Sequence, residues 1–293
     1  MSTTVATPVA APPRAPSAPR RIKGQRNYLG GFFAWVWLAI IIIPVYYVVI
    51  TTLKDQGAYF TENPLAPPIP PTFAAYQDVW EAGIGRYFLN SVIVTIGTVI
   101  PLVLFSFLAS YAIVRGNSRL LHFSRTLFLL GLAIPAQATI VPLYLIITRI
   151  EMYDSLGALI LPYIAFGIPL TVLILTNFIR DVPRELFESM RLDGCTDWQM
   201  AWKLAFPLTR PAIVTVSIYN GLHVWNGFLF ALILTQSPDK RVMPLALWAF
   251  QGEYSVNIPA VLAAVVLSTL PILVLYVVGR RHLLRGLTAG FGK

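Results

Sequence analysis

Charge is scarce in this sequence, and what there is avoids the apolar runs. Only 12% of the 293 residues are Asp, Glu, Lys or Arg, and all 13 carboxylates lie between those runs or at their ends. Channels and ion-coupled carriers usually hold ionisable groups within the bilayer, where they mark the ion path. Here His223 is the only ionisable residue well inside an apolar run, so proton or sodium coupling within this chain is not expected. Cys195 is the only cysteine, which excludes an intrachain disulfide or a cysteine-based metal site. No G-x-x-x-x-G-K-[ST] loop is present to cradle nucleotide phosphates, and no H-E-x-x-H or G-x-S-x-G motif accompanies the few acids.

What is abundant is apolar surface. Hydrophobic residues make up 56% of the chain, and the mean hydropathy is +0.68, values that belong to a membrane protein. Six uncharged stretches, 29–53, 87–114, 126–148, 156–179, 211–238 and 254–279, each have room for the roughly 20 residues that cross a hydrocarbon core. The expectation is therefore an all-α polytopic membrane protein with six transmembrane helices. Residues 1–28, rich in Pro, Ala, Ser and Thr with five Arg and Lys, read as a disordered tail. The first apolar run is of span length with no small-residue cleavage site behind it, so it is expected to remain in place.

Orientation follows from the basic residues. The tail, the 115–125 loop, the 180–210 segment and the C-terminus hold 17 of the 22 Lys and Arg residues, which places both termini in the cytoplasm. The net charge of +9 is then a consequence of topology, and no nucleic-acid partner is implied. The 54–86 and 236–256 loops fall on the outer side, either as plain connections or as docking places for an external partner.

Within the spans, Pro44, Pro101, Pro135, Pro142, Pro162, Pro169 and Pro271 each remove a helical hydrogen bond. They either shape packing or bend helices around a polar cavity. Asn220, His223 and Asn226 recur at i, i+3 and i+6 in the fifth run, flanked by Tyr219 and Trp225, and share one helix face. Two readings stand open: hydrogen-bonding glue between helices, or a polar path for a hydroxylated solute.

The segment "FESMRLDGCTDWQMAWKLAFPLTRP" interrupts the apolar pattern. Asp181 before Val182 and Pro183 suits a helix start, Leu186, Phe187 and Met190 then share a face, and Gly194 suits a left-handed stop. Thr196 and Gln199 form a capping box for a second helix. In it Trp198, Ala201, Trp202 and Ala205 make an apolar stripe, and Pro207 and Pro211 end it. Helices this short are marginal alone and must dock. Their apolar faces can fold onto the cytoplasmic ends of the spans, leaving the turn at Asp193, Gly194 and Cys195 pointing outward.

These residues carry a resemblance. Glu188, Ser189, Met190, Asp193 and Gly194, followed by Leu204 and Pro207, resemble the EAA signature of ATP-binding-cassette (ABC) importer permeases. The segments "YFLNSVIV", "ASYAIVR", "IPAQATIVPLY", "VWNGFLFALILT" and "RRHLLRGLTAGFGK" are similar to the carbohydrate-uptake, maltose-type branch, covering the chain from about Thr52 to Lys293. Ser189 and Met190 stand where the signature has alanines, and Gly227 follows Trp225 and Asn226 where a carboxylate is frequent. The resemblance implies a type I ABC importer transmembrane domain, with a core over 87–281, a coupling segment over 182–206 and a tail over 282–293. It also implies a second homologous permease, a dimer of ATPase subunits that alone bind ATP and Mg, and an extracytoplasmic sugar-binding protein, all at a bacterial cytoplasmic membrane. Two other readings compete: a permease of the same superfamily for a non-sugar solute, and a membrane enzyme using Glu188 and Asp193 on a lipid-linked substrate.

Overall fold

The computed structural model describes residues 28–250 and 256–289, and the expected tail, apart from Tyr28, lies outside them together with 290–293. The regular elements among the described residues are helices. The chain divides into two compact units after Val45. The described part of the first unit is the start of α1 (Tyr28–Thr51), a helix of mostly apolar residues, among them Trp35, Trp37, Ile41 and Ile43, all exposed. A helix apolar on every side and 24 residues long, about 36 Å, is built for lipid.

In the second unit α4 (Ile84–Arg115) and α7 (Gly157–Arg180) form the central pair. They run side by side in the same direction: Gly97 meets Ile160, Leu102 meets Gly167, and the Ser110 hydroxyl donates to the Val172 carbonyl at 3.1 Å. Thr98, Ser106 and Ser110 are fully buried on α4. Small side chains of this kind let helix backbones approach closely, the usual source of helix association where lipid is as apolar as leucine. Across this pair lies α11 (Arg210–Trp225) in the opposite sense, with Phe107 against Phe206 just before its start and Phe88 against Trp225 at its end. The Trp225 indole donates to the Ser268 carbonyl of α13 (Ile258–Ala289).

Two of the expected spans are broken. The 126–148 stretch is α5 (Arg119–Gly131) and a second limb of a 3₁₀ turn (Ala136–Thr139) with α6 (Ile140–Arg149), and the two limbs meet at 96°. Pro135 explains the corner, since it has no N–H to give and disfavours helical geometry at Ile134. The 211–238 stretch is α11 and the short α12 (Leu229–Leu234), separated at Asn226, Gly227 and Phe228. Among the described residues three helices are long and apolar enough to cross a membrane, α1, α4 and α7, or four if the bent pair counts as one span. The sixth run enters helix at Ile258, later than its apolar start, and continues to Ala289.

At the end away from the interrupted segment, the connections form a polar layer over the helices. The Asn90 amide donates to the carbonyls of Asp239 and Arg241, and Ser91 accepts from the Met243 N–H. Here α2 (Gln56–Thr61) and α3 (Ala74–Glu81) join in: Gln56 bonds the Val256 carbonyl and the Ile258 N–H, and Asn257 bonds Asp78. Asp154, in the left-handed region at φ 58, is the clasp between the α6–α7 and α12 connections. Its carboxylate accepts from the backbone N–H groups of Gln236 and Ser237 and from the Ser237 hydroxyl. Partial burial pushes its pKa upward, but the Ser237 hydroxyl, the two N–H groups and the Lys240 charge together hold it below the ordinary carboxylate value.

A carboxyl group depressed in the folded state stabilises fully above its unfolded pKa and stops doing so as pH falls through the folded one. The clasp is therefore complete at neutral pH and opens in acid. Asp154→Ala is expected to cost about 1–3 kcal/mol through lost hydrogen bonds. Asp154→Asn, which keeps an acceptor and tolerates positive φ, costs less. Thermal unfolding of the purified protein in detergent at neutral and acid pH checks this; the gap between wild type and the Ala variant should narrow in acid.

Candidate functional site

The interrupted segment folds as two helices clamped to the ends of α4, α7 and α11. The first, α8 (Arg184–Leu192), starts after Pro183, and no side chain caps it. The expectation that Asp181 caps this helix is corrected: its N–H bonds the Asn177 carbonyl and it closes α7 instead, because α7 runs on through Arg180. Glu185 in the first turn and Arg191 in the last suit the helix dipole. Phe187 is the anchor, 1% exposed among Tyr111, Leu175 and Ile179, with the Arg115 guanidinium 4.1 Å above its ring. Met190 packs beside it, whereas Leu186, expected on the same face, is 41% exposed.

At its end α8 closes as a Schellman motif. The Cys195 N–H bonds the Met190 carbonyl and the Gly194 N–H bonds that of Arg191, with Gly194 at φ +81. A side chain at 194 would meet nothing within 4 Å, so glycine is required by backbone conformation and space is not the issue. The capping box forms as expected: Thr196 Oγ1 accepts from the Gln199 N–H, and Gln199 Oε1 from the Thr196 N–H. An exposed Arg191–Asp197 pair at 2.7 Å spans the turn. Leu192, Asp193 and Gly194 point away from the core, Leu192 at 89% exposure.

The second helix departs from its sequence pattern. It is α9 (Asp197–Met200), a π-helical turn (Ala201–Ala205) and α10 (Phe206–Leu208). Pro207 does not end it, because the widened turn relieves the clash between the proline ring and the carbonyl four residues back. The buried residues are Met200, Ala201 and Ala205, and Trp198, expected in the stripe, is 62% exposed. Trp202 packs on Phe107 and Phe206.

The residues singled out by the signature are thus placed as follows. Glu188 and Ser189 are exposed on α8, Met190 and Leu204 are half-buried against the core, Asp193 and Gly194 form the turn, and Pro207 is exposed. Glu188 also borders a cavity of about 640 Å³ with Arg115, His122, Arg180 and Arg184.

A second cavity, of about 630 Å³, opens where the two broken helices meet. Ala136 and Gln137 come from the corner after α5, Asn226 and Gly227 from the break after α11, and Tyr163 from α7. Irregular backbone at membrane depth is tolerated where it lines such a space. The three polar residues of the fifth run divide here. Asn220 is buried, its amide donating to Thr171 Oγ1 of α7, a bond between helices, and to the Val216 carbonyl one turn back in α11. His223 and Asn226 line the cavity, with Tyr219 stacked on His223 at 5° between planes.

Sequence reasoning missed Gln137 and Tyr163. A tyrosine in an apolar run reads as core, and Tyr163 is only 6% exposed. The clue was Gly227: a Cβ there would lie 1.7 Å from the Tyr163 hydroxyl oxygen. A carboxylate at 227, frequent in the resembled pattern, has no room beside this tyrosine.

Comparison with known proteins adds the following. Residues 103–288 match the family model described as binding-protein-dependent transport system inner membrane component. A protein of Caldicellulosiruptor sp. (strain Rt8B.4) named as the ABC transporter permease ORF2 is 37% identical over 92% of this chain and 98% of its own length. The diacetylchitobiose uptake system permease protein NgcG of Streptomyces coelicolor is 31% identical over 87% of this chain and 85% of its own. Among solved structures, a bacterial ABC transporter involved in the import of the acidic polysaccharide alginate superposes with a TM-score of 0.75 at 20% identity, covering 87% of this chain and 96% of that one.

The close approach at the second break yields a test. Gly227→Ala should sharply lower the yield of folded protein, and adding Tyr163→Ala should restore much of it by vacating the space. Size-exclusion profiles of the fluorescently tagged variants in detergent check both; a well-folded single variant would remove Tyr163 from contact with the break.

Proposed function

Because this chain belongs to the family of inner membrane components of binding-protein-dependent transport systems, the ABC transporter permeases, we propose that it is the permease subunit of an ATP-driven importer of a mono- or oligosaccharide. The observation that carries the coupling half of this reading is the Gly194 turn, closed by its own backbone and held out from a buried anchor at Phe187. Such a turn suits a groove on a partner. In this account the partner is a pair of ATPase subunits that bind ATP and Mg, and Glu188, Ser189, Met190, Asp193, Gly194, Leu204 and Pro207 form the coupling surface. Closure of the ATPase pair is then passed to α4, α7 and α11 as rigid-body movement. Glu188 and Asp193 act as pairing carboxylates with no catalytic part.

The sugar half rests on the named activity of NgcG and on the cavity. His223 and Asn226 form the polar path there, together with a second homologous permease across the membrane plane, while Asn220 holds α11 to α7. An extracytoplasmic sugar-binding protein delivers the solute to the end bearing the 54–86 and 236–256 loops, and both termini lie in the cytoplasm, as the basic residues direct.

Affinity purification of the tagged chain from mild detergent should recover an ABC-type ATPase and a second permease. Gly194→Trp should insert normally yet lose ATPase recovery and uptake, since a bulky residue holds φ +81 only at a cost of about 1–2 kcal/mol and crowds the docking turn. Wild-type recovery by that variant would remove the turn from the coupling mechanism.

A further inference from the structure

The 630 Å³ cavity has a chemical character beyond its place in the path. Among the described residues no Asp, Glu, Lys or Arg lines it, and its polar groups are two amides, an imidazole and two phenols. A charged solute entering it would leave water and meet no counter-charge from this chain, which is unfavourable. A solute rich in hydroxyls meets donors, acceptors and ring faces. Asn226 spends one amide N–H on the Leu222 carbonyl, and among the described residues nothing donates to its side-chain oxygen.

Tyr163 is the unusual member. Its side chain is buried, packed against Phe230 at 5.2 Å and edge-on to His223, so the ring is fixed. Its hydroxyl makes no hydrogen bond among the described residues, yet it lies at the cavity wall in the space a side chain at 227 would fill. The oxygen is open to the cavity, so its donor and acceptor sites are available to a solute there. Glycine at 227 is what lets that hydroxyl reach the cavity.

Resting on the sugar reading above, we propose that Tyr163 contacts the transported solute through its hydroxyl, and that the Tyr163–Gly227 pair makes this chain's part of the path selective for uncharged glycans. An uncharged sugar hydroxyl completes the hydrogen bond that the protein leaves open. An acidic glycan such as a uronate finds no Lys or Arg among the described residues of this wall.

The test is Tyr163→Phe in the complete transporter, both permeases, ATPases and binding protein, reconstituted in proteoliposomes. This variant keeps the ring and its packing, so a merely structural role predicts no change. The probes are radiolabelled neutral sugars, diacetylchitobiose, raffinose and maltotriose, and a uronate tetrasaccharide, each read as sugar carried per ATP hydrolysed. For whichever neutral sugar wild type carries, the variant should lose about three- to tenfold in that ratio, the size of one hydrogen bond, with ATPase recovery unchanged. An unchanged ratio overturns the role of the hydroxyl. Wild-type transport of the uronate as efficient as that of the neutral sugars overturns the uncharged class while leaving the sugar reading intact. Normal ATPase recovery with no uptake of any neutral sugar overturns the sugar reading and this inference with it.

Discussion

The contact on which the working structure depends is the burial of Phe187 beneath the Arg115 guanidinium. Burying a phenylalanine is worth about 1.5–3 kcal/mol, and the cation above its face adds about 0.5–2 kcal/mol. That is enough to hold a nine-residue helix that would be marginal alone. Without this anchor the Gly194 turn would be a loose loop at the membrane surface. With it, the turn, the capping box behind it and the adjoining ends of α4, α7 and α11 share one core, continuous through Met200, Ala201, Ala205, Ala212 and Val216.

The opposite design rules the transport side. There the chain gives up regular helix twice, at Pro135 and at Asn226–Gly227, and the two breaks face one cavity. The central α4–α7 pair stays unbroken and tightly packed beside the breaks, and the Asp154 clasp ties α12 to the loop that enters α7. In the proposed importer, the packed pair, the broken flanks and the anchored turn would be the parts that alternating access needs.

Much of this was legible in the residues. The capping box at Thr196 and Gln199 and the left-handed stop at Gly194 are local chemistry, readable from residue types at fixed spacing, and they formed as expected. What failed was continuity. Hydropathy averages over a window, so a corner at Pro135 inside an apolar run looks like one span, and a π-helical turn shifts a stripe so that Met200 is buried in place of Trp198. Asp181 had two helices to serve and its backbone chose the earlier one. The polar triplet of the fifth run divides because about 100° per residue carries Asn226 about 120° round the helix from Asn220, and Asn220 lies on the side that meets Thr171 of α7. Tyr163 stayed hidden because its partner is the absence of a side chain at 227, which only coordinates reveal.

Cys195, the chain's only cysteine, sits beside Gly194 in the turn and offers a direct probe of the central claim. A short thiol-specific cross-linker applied to native membranes should join Cys195 to an ABC ATPase subunit, and Phe187→Ala should weaken that product as the lever loses its anchor. Cross-linking from Cys195 to no ATPase in the wild-type protein would contradict the account.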